Sequence, residues 1–524
     1  MNFARDVLAA LDPGALAFVE LARDGSRREW TFAEVADRSA RLAGALTELG
    51  VRRGDVVMTL IGNRPEWVLA MLACFRTGAV VLPCTEQLRA KDLRLRIDVA
   101  RPTLILADER NRSELESAGV SGSMAVADAR AAAAEGELPG DVPVRYVPDA
   151  SLFAGEPAPA TELDPHEPCL ITFTSGTAGE PKAVVHAHRY LDGQRVQARH
   201  WLGGRRGELV WCTAASGWSK SARNVFIAPW LEGAAALLHD ARFDPHERLE
   251  LLARERVNVL CMAPTEYRVI AKRADLHPLP SLRAMVAAGE ALNPEVLRAW
   301  HEATGLHIRD GYGQTETGQT TGSPLEQEPR PGSMGRPLPG VEVDVVDGEL
   351  VIAPQSVPTF FLGYLDEHVA RDRDGRWSGT DRREGDPWHT GDRVRLDDGW
   401  LYFEGRSDDV IVSAGYRIGP FEVESALVAH PAVAEAAAVA APDEERGSVV
   451  RAIVVLRDGD TAGSPELARE LQDHVKRVTA PYKYPRIVEF AEELPKTASG
   501  KVKRAELRNS EANAQSGIPA PRRS

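Results

Sequence analysis

Hydrophobic and polar positions along the first hundred residues alternate between two periods. Val35, Leu42, Leu46 and Leu49 recur at helical spacing and predict an amphipathic helix that Gly50 ends. Thr31 and Glu34 mark its start as a capping box, since each side chain can satisfy a free amide at the other's end of the first turn. The run DVVMTLI at 55–61 then reads as a buried strand, 66–76 as a helix and 79–82 as a second strand. Strand–helix–strand order implies parallel pairing with helices on the sheet faces, an α/β architecture. Residues 110–165, rich in Ala, Gly, Pro and acids, show weak periodicity and read as a variable surface region. From 166 the alternation resumes, punctuated by glycine-rich turns. After Gly405 the pattern predicts a compact unit: a helix at 420–430, strands at 432–440 and 449–456, a helix at 465–478 and an extended segment at 487–490. Residues 510–524 lack core-forming side chains and read as a disordered tail.

Composition narrows the function classes. The net charge of -14, from 77 acidic and 63 basic side chains, argues against a nucleic-acid surface, which needs clustered cations. Five cysteines, an odd number with no CxxC, read as reduced, mostly buried thiols of a reducing compartment. No Cys/His cluster has zinc-ligand spacing, so His186 and His188 read as ordinary side chains. Asp6 and Asp12 interrupt the N-terminal apolar residues, and Arg76 and Pro83 interrupt the greasiest stretch, 67–84. The expectation is a soluble, cytoplasmic protein with no membrane span.

Four segments carry candidate chemistry. In TFTSGTAGEPK, 172–182, a strand runs into hydroxyls, glycines and Lys182. Glycines let backbone amides approach a phosphate chain, hydroxyls donate and lysine adds charge. It is not a Walker A loop, because no glycine directly precedes Lys182 and no Ser or Thr follows it. In DGYGQTET, 310–317, Tyr312 can stack on a purine, Thr315 can donate to a phosphate and Glu316 can hold the magnesium that accompanies ATP; a polar loop is the plain alternative. In WHTGD, 388–392, ahead of WLYFEGRSD, 400–408, Asp392 suits two ribose hydroxyls and Arg406 can reinforce it, while a hairpin with a surface ion pair explains the same residues. PKTASGKVKR, 495–504, is either a mobile loop presenting Lys501 or a solvated basic run.

Together and in this order, these segments resemble the acyl-adenylate-forming (AMP-binding) superfamily, most closely its medium-chain acyl-CoA synthetase branch. GW at 217–218, GE at 289–290, GRSDDVIVSAGYRIGPFEVESAL at 405–427 and PYKYPR at 481–486 extend the resemblance over residues 20–508. It implies a large N-terminal domain, 1–405, of helix-covered sheets with a small β-barrel. A small mobile α+β domain, 406–510, and the tail, 511–524, follow. It implies an acid–CoA ligase using ATP, Mg2+ and CoA, with a small carboxylic acid as the other partner. By position, Thr174, Ser175, Gly176, Thr177 and Lys182 would close on the β- and γ-phosphates. Gly289, Glu290, Asp310 and Tyr312 would border the adenine, Thr315 would contact the α-phosphate and Glu316 would hold the metal. Asp392 and Arg406 would hold the ribose, and Arg417 would meet phosphate. Asp408 would be the hinge, and Lys501 would bridge the carboxylate and the α-phosphate. Ser413 and Gly415 would line the thiol's route.

Ala178 and Ala414 stand where relatives usually carry Thr or Ser, and Ser or Gly. Each replacement forgoes a hydrogen bond, on the order of 1 kcal/mol. Gly313, where the acetate-specific branch has tryptophan, implies a deeper acyl pocket with Trp218 and Gly289 as further walls. That suits medium-chain, branched or aromatic acids, and Gly313→Trp is expected to shift preference toward short ones. Two other readings are a stand-alone adenylation enzyme that loads a carrier protein, and a non-catalytic nucleotide-binding protein.

Overall fold

In the computed structural model of the protein, the predicted alternation becomes two large, mostly parallel sheets. The structure describes residues 1–135, 141–174, 181–290, 292, 294–372, 376–407, 409–413, 416–443, 446–457, 463–497 and 501–508. The first sheet has seven strands: Gly363–Tyr364, Ala183–Ala187, Pro168–Phe173, Val80–Cys84, Val56–Leu60, Leu104–Asp108 and Val144–Val147, in spatial order. Val57 pairs in parallel with both Val81 and Leu104, because the helix Pro65–Thr77 carries the chain back across one face. All residues of Val56–Leu60 and Val80–Cys84 are buried, which is why both read as unbroken apolar runs. Thr31 caps the helix Phe32–Glu48 with the expected reciprocal bonds, Glu34 N to Thr31 Oγ1 at 3.2 Å and Thr31 N to Glu34 Oε2 at 2.8 Å.

The second sheet has nine strands. Its neighbours Ala284–Ala288 and Ile308–Gln314 run parallel, so their C-terminal ends lie side by side, and Gly318–Gly322 returns antiparallel. Ends of parallel strands are where an open α/β sheet offers a crevice. Where a small barrel was expected, Val343–Val346, Glu349–Ile352, Trp388–Asp397 and Trp400–Arg406 form a four-stranded antiparallel sheet, with Ser333 bridged to Tyr402. The last unit has its own apolar cluster, including Ile411, Ile418, Val423, Leu427, Val450 and Leu471. Helices Pro420–Val428 and Pro465–Val478 pack there with strands Val433–Asp443, Gly447–Leu456 and Ile487–Phe490.

The stretch of weak periodicity read as a variable surface region, 110–165, contains helices Arg112–Ser117 and Val126–Glu135 and the edge strand Val144–Val147. An alanine-rich helix has little contrast between its faces. The strand is too short between Pro143 and Pro148 to show a period, and parallel pairing of Val144 with Ile105 holds it in place. The tail expectation, 511–524, lies outside the described residues. No helix among them is long and apolar enough to cross a membrane.

Among the buried histidines, burial pushes His186 down to about 3 and His188 and His239 to about 4. Their folded values lie below the ordinary one, so between 6.5 and about 4 the unfolded chain binds more protons. Stability is therefore lost as pH falls through that window, by about 1.4 kcal/mol per histidine per pH unit. Urea midpoints measured from pH 7 to 5 are expected to drop accordingly, and His188→Gln is expected to shallow the slope. A flat profile would contradict this.

Candidate active site

Residues eighty positions apart meet at the ends of the two neighbouring strands. Tyr312, at the end of Ile308–Gln314, donates its hydroxyl to Asp392 Oδ2 at 2.5 Å. Gln314 Nε2 donates to the same oxygen at 2.9 Å and to the Thr390 carbonyl at 2.8 Å, while Trp388 Nε1 donates to Gln314 Oε1 at 2.9 Å. The antiparallel register places Asp392 opposite Arg406, with Arg406 Nη1 3.7 Å from Asp392 Oδ1. Asp392 is 5% exposed; burial pushes its carboxyl up, while Tyr312 and Arg406 pull it down. Two of the four motif segments are thus one hydrogen-bonded unit.

The turn from Gln314 to Gly318 is tight, with Gln314 N donating to Thr317 Oγ1 at 3.0 Å. Thr315 is half-buried on it. Glu316 is buried, which raises its carboxyl, and Tyr364 donates to its Oε1 at 2.7 Å. Lys182 Nζ stands 4.6 Å from the Tyr364 ring centroid and 2.9 Å from Glu367 Oε1. Tyr364 therefore links Lys182 to Glu316. Thr174 and Lys182 close their loop mutually: Thr174 N donates to the Lys182 carbonyl and Lys182 N to Thr174 Oγ1, both at 2.9 Å. Ser175, Gly176 and Thr177 lie outside the described residues.

At the end of Ala284–Ala288, Gly289 has φ +105, and a Cβ there would stand 3.4 Å from Lys220 Nζ. Lys220 donates to the Ala288 carbonyl at 3.1 Å. Glu290 Oε2 accepts from Thr265 at 2.7 Å. Asp310 receives the Gly311 amide at 2.8 Å, yet burial still pushes its carboxyl well above the usual range. Trp218 is half-buried beside Gly217, which has φ +90 and at which a Cβ would fall 2.3 Å from Thr85 N.

Gly313 has a more basic task than setting pocket depth. A Cβ there would fall 1.9 Å from the Gly318 carbonyl oxygen and 2.9 Å from Gln319 Cα. A tryptophan must therefore displace the return strand before it can narrow any pocket, so Gly313→Trp changes the backbone as well as the acyl wall.

Lys501 arrives from the small unit. Lys501 N donates to Thr497 Oγ1 at 3.2 Å and Thr497 N to the Lys501 carbonyl at 2.8 Å. The segment is pinned on both sides, by Lys496 to Glu435 at 2.6 Å and by Arg504 to Glu424 at 2.8 Å. The ammonium lies within electrostatic reach of Glu290, Asp392, Lys220 and Arg406. Burial, then the like charge of Lys220, holds it below the ordinary lysine value, against the pull of Glu290 and Asp392. Asp409 binds Arg508 at 2.6 Å and Arg504 at 3.6 Å, tying the start of the small unit to its end.

Ser413 is buried in the hairpin Ile411–Ser413 with Tyr416–Ile418, where Arg417 pairs with Val412. Tyr416 is exposed and stacks on Tyr482 at 4.4 Å, within the small unit. Asp408, Gly415 and the side chain of Arg417 lie outside the described residues. Sequence reasoning passed over Tyr364, Lys220 and Gln314. Lys220 comes two residues after the noted GW and Gln314 sits inside a noted motif, whereas nothing local marks Tyr364.

Lys182, Lys220, Arg406 and Lys501 thus converge with Glu290, Glu316 and Asp392, an arrangement able to receive a polyphosphate and a carboxylate together. A separate hollow of about 700 Å³, lined by Leu11, Arg27, Phe32 and Arg206, contains none of the motif residues. The Cys74 and Cys84 thiols are pushed up to about 12 by burial, so neither supplies a thiolate.

Comparison with known proteins is consistent along the whole chain. The family model for AMP-binding enzymes matches residues 6–365, and that for the AMP-binding enzyme C-terminal domain matches 422–501. The chain is 38% identical to rat acyl-coenzyme A synthetase ACSM3, mitochondrial, covering 97% of this chain and 90% of the relative. It is 39% identical to the uncharacterized acyl–CoA ligase YtcI of Bacillus subtilis strain 168, covering 93% and 91%. Among solved structures it is similar to the anthranilate CoA ligase AuaEII in complex with anthranoyl-AMP, with TM-score 0.82, 28% identity and 98% of each chain covered. It is also similar to a benzoate CoA ligase from Burkholderia xenovorans LB400, with TM-score 0.81, 26% identity and 97% and 100% covered.

Proposed function

This chain belongs to the AMP-binding enzyme family, and from that premise we propose how it works as an AMP-forming acid–CoA ligase. A carboxylic acid attacks the α-phosphorus of ATP, giving acyl-AMP and pyrophosphate; the CoA thiol then attacks the acyl carbon, giving acyl-CoA and releasing AMP. The observation that carries this reading is the convergence of Lys501, from the last segment, with Asp392 and Glu290 of the large unit.

Attack of a carboxylate on a phosphate brings two anions together where water is scarce. Lys501 stands between them, screens their repulsion and stabilises the charge of the transition state. Lys182 and the loop it closes receive the β- and γ-phosphates, and Thr315 the α-phosphate. Tyr312, Gly289, Glu290 and Asp310 border the base, and Asp392 with Arg406 holds the ribose. Glu316 suits magnesium: one carboxylate in a dry pocket is enough when phosphate oxygens complete the shell. No group of three or more His, Cys, Asp or Glu among the described residues forms a rival metal cage. Magnesium, when bound there, neutralises charge on the departing pyrophosphate.

Because Lys501 and the Ser413 hairpin sit on one small unit, we divide the chain at 405/406. Rotation about Asp408 would withdraw the lysine and present Ser413, Gly415 and Arg417 for the thiol step. Medium-chain, branched or aromatic acids suit the pocket bounded by Trp218 and Gly289, and apolar walls separate such acids by only about 1–3 kcal/mol per methylene. Five unpaired thiols support a reducing, cytoplasmic setting.

Two experiments follow. Pyrophosphate release across straight, branched and aromatic acids, with CoA or a pantetheinylated carrier protein as acceptor, tests the reading; acid-independent release, or transfer to the carrier alone, would overturn it. Asp392→Asn is expected to raise the KM for ATP roughly 100-fold, for loss of charge-assisted bonds of about 3 kcal/mol, with the acid's KM little changed. An unchanged KM for ATP would remove Asp392 from the ribose role.

A further inference from the structure

Beneath the turn that carries Glu316 lies a cation for which adenylation has no use. Arg223 opens the π-helical turn Arg223–Ile227 and is 4% exposed. Its Nε and Nη1 have no hydrogen-bond partner, and no carboxylate among the described residues forms an ion pair with it. Nη1 stands 3.5 Å from where a Cβ on Gly318 would project, so the guanidinium lies against the end of the TETG turn. Tyr190 hydrogen-bonds it, and its charge acts on Tyr190, His186 and Cys261, all buried and none of them a counter-ion. Acceptors also stand idle nearby: Gln319, whose backbone pairs with Gly313, has an unpartnered Oε1, and Ser221, two residues before Arg223, has an unpartnered Oγ.

A buried charge without a counter-ion is among the most costly features a fold can carry. Neutral hydrogen-bond partners such as Tyr190 leave the charge uncompensated, so the site suits an anion. Where it comes from follows from the chain path. Trp218, Lys220 and Arg223 lie on one short segment. Lys220 is held by the Ala288 carbonyl and acts on Lys501, so it marks the end where the reacting carboxylate sits. Arg223 lies three residues further along, at the start of the π-helical turn.

Resting on the ligase reading above, we propose that Arg223 receives a second, distal carboxylate, and that the preferred substrate is a dicarboxylic acid of short to medium length activated at one end. A guanidinium suits this task, because it stays charged when enclosed and presents its donors in a fixed plane.

The test uses the intact enzyme with ATP and CoA and pairs of acids matched in length: butyrate with succinate, hexanoate with adipate, octanoate with suberate. At one length or more, kcat/KM for the dicarboxylate is expected to exceed that of its partner by about tenfold or more, as a charge-assisted contact implies. Arg223→Met is expected to lower that ratio by a similar factor, and Arg223→Lys to preserve part of it. Preference for the monocarboxylate at every length, or an unaltered ratio in Arg223→Met, overturns the proposal. If that variant does not fold, the comparison in the unaltered enzyme decides alone. Pyrophosphate release with monocarboxylates only would sink this inference and leave the ligase reading standing. Release with no acid of any kind would sink both.

Discussion

Lys501→Ala is expected to slow acyl-adenylate formation by about 10²–10³-fold, the range found when a preorganised charge-stabilising donor is removed. Thioester formation from supplied acyl-AMP is expected to stay within a few-fold of the unaltered enzyme. The asymmetry follows from where the lysine acts. Two anions must meet only in the first step, and only there is a cation between them required. The ion pairs of Lys496 with Glu435 and Arg504 with Glu424 hold the lysine's segment to the small unit, so removing the side chain leaves its supports intact. A pH signature accompanies the role. Burial and Lys220 hold the Lys501 ammonium below the usual 10.5, so its proton is lost at lower pH than from an exposed lysine. The alkaline decline of adenylation is therefore expected to begin earlier than for an ordinary lysine, and the thioester step should not share it. Single-turnover assays of the two half-reactions separate these outcomes, and equal loss in both would contradict the assignment.

The second large effect is expected from Glu316→Gln. The carboxylate is buried and accepts from Tyr364 at 2.7 Å, and Tyr364 in turn carries Lys182 over its ring. Glutamine preserves the shape and accepts from Tyr364, but it cannot supply the charge that a divalent cation needs. Adenylation is expected to fall by about 10²-fold or more, with a higher magnesium requirement, while the fold is kept. Rates measured across a magnesium titration check this, and an unaltered magnesium dependence would show that Glu316 does not hold the metal.

Much of the architecture was legible because local signals agreed with the tertiary arrangement. The helix Pro465–Val478 and the strand Ile487–Phe490 appear at their predicted bounds, the first because its apolar face repeats strictly and Ser464 caps it. Where the local signal was weak, as at Val144–Val147, only pairing with a distant strand decided the outcome. The same distinction holds in the cleft. Tyr312, Glu316, Asp392 and Lys501 stood out because each sits in a recognisable run of residues. Tyr364 and Arg223 did not, because what singles them out is a neighbour far along the chain, a carboxylate in one case and the lack of one in the other. Gly313 shows the limit from the opposite side. Its motif position suggested space for substrate, while the register with Gln319 and Gly318 shows that the backbone claims that space first.

The most direct test of the account is exchange of labelled pyrophosphate into ATP by the purified enzyme, without CoA and with each acid in turn. A ligase that passes through an enzyme-held acyl-adenylate must run its first step backwards, so exchange is predicted to require the acid and to proceed without thiol. Exchange that fails with every acid, or that appears only once CoA is added, would contradict it.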